Sequence, residues 1–209
     1  MRFYERFLKK APKQSRSRTL VESVLSAATE LLGRTADEEE VTIQAVAERA
    51  GVGVGSLYDY FNDRGSVFTS LAAKLTEDNT RMFEAELESC RDKPLDATVR
   101  HIVDLLFDRY LTDTRTGRVV LRITHRANLM PLLASNHGVF ARSMAKFLEG
   151  RDDVDKTNLD VKAWVMTNMA LGVIHTLVWT NEKPFPYEDI RAELARSCCA
   201  VLAKQPASA

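Results

Sequence analysis

Apolar residues recur along this chain with the spacing of a helix and almost never with the alternation of a strand. Leu20, Val24, Ala27, Leu31 and Leu32 share one helical face, and Ile43, Val46, Ala47 and Ala50 repeat that spacing over a shorter stretch. Val67, Phe68, Leu71, Leu75, Met82 and Leu87 predict one long helix from Ser66 to about Cys90. Pro94 suits the first turn of the next helix, striped by Val99, Ile102, Val103, Leu106 and Tyr110. Residues 119–126 fit helix or strand by period alone, and their helical neighbours favour helix. Pro131 opens a further helix that ends near Gly150, and Asp152, Asp153 and Asp155 make a polar turn. Asn158 to Thr180 is apolar nearly all round, the pattern of a helix buried on more than one side. Beyond the stiff link Lys183-Pro184-Phe185-Pro186, Tyr187, Ile190, Leu194, Val201 and Leu202 predict a last amphipathic helix, with Gln205 to Ala209 frayed. No strand pair and no internal repeat is visible, so the fold class is all-α.

Composition narrows the class without deciding it. The 209 residues are 45% hydrophobic and 28% charged, with 29 Lys+Arg against 29 Asp+Glu. That is enough apolar material for a real core, and it argues against disorder and against a polybasic protein. Local basic patches are still compatible with nucleic-acid binding. The N-terminal stretch MRFYERFLKKAPKQSRSR has no apolar run long enough for a signal-peptide core, and Val161 to Trp179 is interrupted by polar residues. Cys90, Cys198 and Cys199 lack metal spacing. The adjacent pair reads as two reduced, packed thiols in preference to a strained vicinal disulfide. A cytoplasmic protein without membrane contact is expected.

Thr42 to Phe61 is far more informative than the rest. Thr42 is a good N-cap, Ala47 is small where a second helix must cross closely, and Gly51 can take the left-handed conformation that ends a helix. Val52 can plug the gap, and a second short helix is predicted from about Val54 to Tyr60 with Leu57 facing inward. A tight corner in some other helical protein would show part of this set. The coincidence of cap, small residue, turn glycine, plug and aromatic exit predicts a helix-turn-helix, whose second helix enters the major groove of DNA. Seven cations, Arg2, Arg6, Lys9, Lys10, Lys13, Arg16 and Arg18, precede it against Glu5 alone. They read either as a solvated tail or as a basic arm on phosphates or in the minor groove.

Ala50 to Phe61, with Glu48 and Arg49 before it and Asn62, Asp63 and Arg64 after it, resembles the signature of the tetracycline-repressor (TetR) family of transcription regulators. The resemblance covers roughly Arg18 to Leu75. It implies an α-helical homodimer without cofactor, with an N-terminal DNA-reading domain and a C-terminal effector-binding domain. The expected organisation is a basic arm over 1–17, a DNA-binding domain over 18–65, and a ligand-binding and dimerisation domain over 66–209. The expected DNA contacts are Arg18, Thr42, Gly53, Val54, Gly55, Ser56, Tyr58, Tyr60 and Arg64. Thr42 would touch a phosphate, and Val54, Gly55 and Ser56 would lie nearest the base edges. The hydroxyls of Tyr58 and Tyr60 would grip the backbone, and Arg64 would open the next helix toward a phosphate. Two positions depart from the family pattern. Gly53 replaces a serine that would cap the recognition helix, and Asp59 is acidic on the DNA-facing element, where it is expected to point away.

The expected effector contacts are Phe107, Tyr110, His125, Phe140, Met144, Trp164, Met169 and His175, with Met130 and Trp179 as further candidates. Aromatics and methionines at helical spacing also serve as plain core, so the pattern implies no more than an apolar or amphipathic small molecule. The surplus apolar surface of the last two helices predicts a four-helix interface with a second copy. The partners implied are a palindromic double-stranded operator, a small effector and a second subunit. Two other functions are open to an all-α chain: small-molecule binding without DNA, and enzymatic activity at an unrecognised site. His101, His125, His137 and His175 show no HExxH spacing, and no phosphate-binding glycine loop or nucleophile elbow occurs, so no catalytic or metal site is expected.

Overall fold

The computed structural model describes residues 2–35, 38–112, 121, 124, 130–180, 182 and 184–203, with the backbone alone at 38, 112 and 130–136. The helices are α1 (Ser15–Arg34), α2 (Ile43–Ala50), α3 (Val54–Tyr58), α4 (Arg64–Ser89), α5 (Leu95–Phe107), α6 (Met130–Glu149), α7 (Leu159–Thr180) and α8 (Tyr187–Leu202). Tight 3-10 turns occur at Phe3–Phe7 and Glu38–Glu40, and α5 runs on as a wider π turn over Asp108–Thr112. No strand occurs among the described residues. The segment expected to be helical over 119–126 falls mostly outside them. The chain divides into two compact units, Met1–Asp78 with Thr114–Leu132 and Asn79–Asp113 with Leu133–Ala209. The division passes through the unbroken helix α4.

In the first unit, α1 buries Val21, Val24, Leu25, Ala28 and Leu32 completely, while Leu20 and Leu31 pack at the rim of the core. The stripe is therefore turned by about one residue from the face read off the sequence. Asp63 caps α4 through its carboxylate, which accepts the Ser66 N–H at 2.7 Å, while the Ser66 hydroxyl accepts the Asp63 N–H at 3.1 Å. Phe61, Val67, Phe68 and Leu71 close this core from below the short helices.

Helix α2 ends as its sequence requires. Gly51 sits at φ +67°, its N–H donating to the Glu48 carbonyl at 3.1 Å while the Val52 N–H donates to the Ala47 carbonyl at 3.0 Å. A Cβ at Gly51 would meet no atom within 4 Å, so backbone conformation alone demands glycine here. Gly51→Ala is expected to cost about 1–2 kcal/mol, the left-handed penalty for an L-residue, read as a lower urea midpoint with unchanged slope.

The N-terminal segment is not a free tail. Tyr4 is 1% exposed and belongs to the core of the first unit, with Phe3, Phe7 and Leu8 packed against it. Arg2 reaches Glu22 on α1 at 2.6 Å, and the Lys9 N–H donates to the Tyr60 carbonyl at 2.8 Å. Aromatic burial thus fixes a stretch whose charge count alone suggested a solvated arm.

In the second unit, α5 buries Val99, Ile102, Val103 and Phe107, and α8 buries Leu194, Ala195, Cys198 and Leu202. Arg191 on α8 pairs with Asp108 at 2.8 Å and Asp104 at 3.4 Å, and its guanidinium lies 4.9 Å from the Phe107 ring centre. All three cysteines are free thiols, and burial pushes Cys198 up to about 12. Helix α7 is long and apolar enough to cross a bilayer by length and composition, yet this core takes one of its faces, from Leu159 and Ala163 through Ile174 to Val178. Its other face is exposed, with Val161 at 60%, Trp164 at 55%, Val165 at 41% and Trp179 at 51%. Burial on more than one side, expected from the sequence, is therefore not completed among the described residues.

Candidate DNA interface and effector pocket

Helices α2 and α3 carry the DNA-facing residues because their inner positions are anchored. Val46, Ala47 and Leu57 are buried, so Gly53, Gly55, Ser56 and Tyr58 are held outward. Thr42 is exposed, and its hydroxyl accepts the Ala45 N–H at 3.1 Å, capping α2 and keeping its outer lobe accessible. Gly53 occupies the N-cap of α3 with no side-chain cap. Val54 is partly packed on the core, and a Cβ at Gly55 would enter open space. Arg18 is exposed on α1. Tyr60 is half buried, while Tyr58 is exposed.

Several cations of this unit are engaged by carboxylates. Lys10 lies 3.7 Å from Asp59 and 4.9 Å from the Tyr60 ring centre. Arg49 pairs with Glu30, and Arg64 holds both the Glu39 carboxylate and, at 3.1 Å, the Glu39 carbonyl. Asp59 is thus countered by Lys10, and Arg64 opens α4 as expected with its guanidinium tied to the acidic turn. The roles of Lys10 and Glu39 were missed in the sequence because both depend on pairing across chain separations that no local pattern encodes. Exposed pairs of this kind contribute about 0–1 kcal/mol each, so exchange for a phosphate is easy. Glu39→Gln is expected to tighten DNA binding by about two- to fivefold and to steepen its salt dependence by about one phosphate contact. The gain should vanish when Arg64 is also replaced by alanine, as read by fluorescence anisotropy over a salt series.

The second unit holds a narrow cavity of about 50 Å³ lined by Phe83, Val99, Phe140, Met144, Met166 and Leu171 among others. Of the expected effector residues, Phe140 and Met144 reach it. Phe107 is buried elsewhere, edge-on to Tyr187 at 6.0 Å. Met169 lines a separate open groove with Val173 and Phe185, and Trp164 and Trp179 stand on the exposed face of α7. His125 and the Met130 side chain lie outside the described residues. Tyr110 and His175 meet edge to face at 6.5 Å, and the Tyr110 hydroxyl accepts an N–H from Asn79 at 3.1 Å.

Burial, and then the neighbouring His137, lower the His175 pKa from 6.5 to about 4. A histidine depressed in this way lends stability above its unfolded value, lost as pH falls toward the folded one. Between pH 7 and pH 4.5 the protein is therefore expected to lose about 2–3 kcal/mol through this group. His175→Phe should flatten that part of the pH profile in urea titrations.

A buried-core helix pair joined by a left-handed glycine, with an outward second helix, defines a helix-turn-helix transcription regulator, here with an all-helical companion unit. Residues 24–71 match the family model for bacterial regulatory proteins of the tetR family, and residues 94–202 match that for the tetracyclin repressor-like C-terminal domain. The chain belongs to the TetR family and is a DNA-binding transcription regulator, a class defined by binding rather than catalysis. No curated protein matches it. Among solved structures it is similar to a TetR transcriptional regulator from Rhodococcus, with TM-score 0.60 at 18% identity over 92% of this chain and 100% of that one. A tetR-family regulator from Streptomyces coelicolor gives TM-score 0.64 at 17% identity, covering 87% and 81%. NalD of Pseudomonas aeruginosa, the secondary repressor of the MexAB-OprM multidrug efflux pump, gives 0.54 at 16% identity, covering 91% and 100%. At these identities the likeness carries the fold.

Proposed function

We propose that the protein is a cytoplasmic, non-enzymatic homodimeric repressor that leaves a palindromic operator when a small apolar or amphipathic effector binds. Residues 18–65 read the DNA through Arg18, Thr42, Gly53, Val54, Gly55, Ser56, Tyr58, Tyr60 and Arg64. Residues 66–209 take the effector and the second subunit. The observation that carries this reading is the outward α3, presenting Gly55, Ser56 and Tyr58 above a packed core. The exposed Val161, Trp164 and Val165 near the start of α7, with Trp179 near its end, support dimerisation, because large apolar side chains grouped on one helix face gain from a cover. Two recognition helices must stand about 34–36 Å apart to meet successive major grooves. Helix α4 runs through both units, so an effector that displaces its second half favours a wrongly spaced dimer. Selection from a random duplex pool should recover an inverted repeat, and light scattering should give a dimer at the DNA-binding concentration. Recovery of unrelated sequences, or a monomer bound to DNA, would overturn the proposal.

A further inference from the structure

We propose that His137 and His175, each one helical turn from a lining residue of the second unit's apolar cavity (Phe140 and Leu171), form a polar seat for the hydroxyl group of an amphipathic effector such as an alkylphenol or alcohol. This inference rests on the effector-binding reading above. It starts from a fixed proton. Asn168 donates its amide N–H to the Trp164 carbonyl at 2.8 Å, which turns its side-chain oxygen toward His137 Nδ1 at 3.0 Å. A carbonyl oxygen only accepts, so Nδ1 of His137 carries the proton. In the neutral ring Nε2 is then a bare acceptor. That atom is buried and has no hydrogen-bond partner among the described residues. Buried acceptors are normally satisfied, and an orphan one turn from the cavity-lining Phe140 can take its donor from a ligand held there.

The surroundings choose the donor. The His175 ring lies 5.2 Å from that of His137, tilted by 39°, and burial keeps it neutral. Tyr110 faces His175, its hydroxyl bonded to Asn79, whose oxygen in turn accepts from Arg109 at 2.7 Å. Among the described residues the histidine with a carboxylate partner is His101, which meets Glu86 at 2.8 Å and lies outside this group. Neither of the two cavity-side rings has a carboxylate partner among those residues, so a cationic ligand would find no counter-charge on them, and a hydrocarbon would leave Nε2 orphaned. A hydroxyl satisfies it. The apolar part has its place on the same two helices: Phe140 and Met144 follow His137 by one and two turns on α6, and Leu171 precedes His175 by one turn on α7. Entry requires Met144 and Met166 to re-rotate, which unbranched thioether side chains do readily.

The test uses the whole protein without DNA and three probes of one shape: 4-ethylphenol, 4-ethylanisole and ethylbenzene, followed by calorimetry. The phenol should bind about tenfold more tightly than the anisole, which has the oxygen but no donor. His137→Leu should erase that preference while leaving ethylbenzene binding intact. In the wild type, the 15N resonance of His137 Nε2 should shift with the phenol and stay fixed with the other two, a reading that needs no variant. Equal affinities for phenol and anisole, an unmoved Nε2 resonance, or no binding of any probe up to its solubility would overturn the seat. Operator release is measured separately by gel shift. A hydroxyl preference without release leaves the seat standing and overturns the effector reading; release without the preference does the reverse.

Discussion

Tyr4→Ala is expected to destabilise the DNA-reading unit by about 3–5 kcal/mol, a large share of the roughly 5–15 kcal/mol that holds a domain together. The ring is fully buried in the core formed by α1, α2, α3 and the start of α4, so its removal leaves a large cavity there. Burial pushes the phenol up in pKa, with Arg2 beside it pulling the other way. Tyr4→Phe, which keeps the ring, should cost far less. Urea unfolding followed by circular dichroism separates the two variants. If Tyr4→Ala unfolds at the wild-type midpoint, the N-terminal turn is not part of the core. Removal of residues 1–15 would combine this loss of packing with the loss of basic charge. The charge contribution is therefore better isolated by Lys13→Gln with Arg16→Gln, both exposed. That pair should weaken operator binding and flatten its salt dependence by about two phosphate contacts without moving the urea midpoint.

Gly55→Leu is expected to have the opposite profile. No atom lies within 4 Å of a Cβ at this position, so the folded chain accepts a side chain there without strain. Leucine also favours helix over glycine by roughly 0.8 kcal/mol, so thermal stability should hold or rise slightly. On DNA the added side chain must occupy the space that lets the backbone of α3 approach the base edges. Forcing it apart by even an ångström should weaken the operator complex by roughly 10- to 100-fold, a loss of about 1–3 kcal/mol. Gly55→Ala should give a smaller loss of the same kind. Gel shifts on the selected inverted repeat, paired with melting curves, measure both halves. Wild-type affinity in Gly55→Leu would mean that α3 does not approach DNA at Gly55.

The parts of the molecule legible in the sequence are those where local chemistry leaves few options. Thr42 caps, Gly51 turns left-handed, Leu57 and Phe61 go inside, and each follows from residues within one or two turns. At the N-terminus, seven cations in eighteen residues fit both a solvated tail and a basic arm, while Phe3, Tyr4 and Phe7 are too few apolar residues to set a period but enough to fill a gap. The pocket was legible least. Phe140, Phe107, Trp164 and Met169 look alike in sequence, yet they end up in a cavity, a packed core, an exposed face and an open groove. Helix α7 is apolar on every side, so its sequence carries no phase to say which residues face inward. His137 gave no signal of its own, because its role depends on Asn168, one element away.

The carboxylates that engage Arg2, Lys10, Arg49 and Arg64 also bear on how such a protein finds its site. Most DNA-binding proteins spend their idle time adsorbed to bulk chromosome, drawn by unpaired positive charge. Here each such contact requires an internal ion pair to be given up first, which lowers the gain on random sequence by the worth of that pair, about 0–1 kcal/mol. Weaker holding by random sequence would leave a larger share of copies in free solution, and occupancy of the target site would then change with less lag of unloading from the rest of the genome.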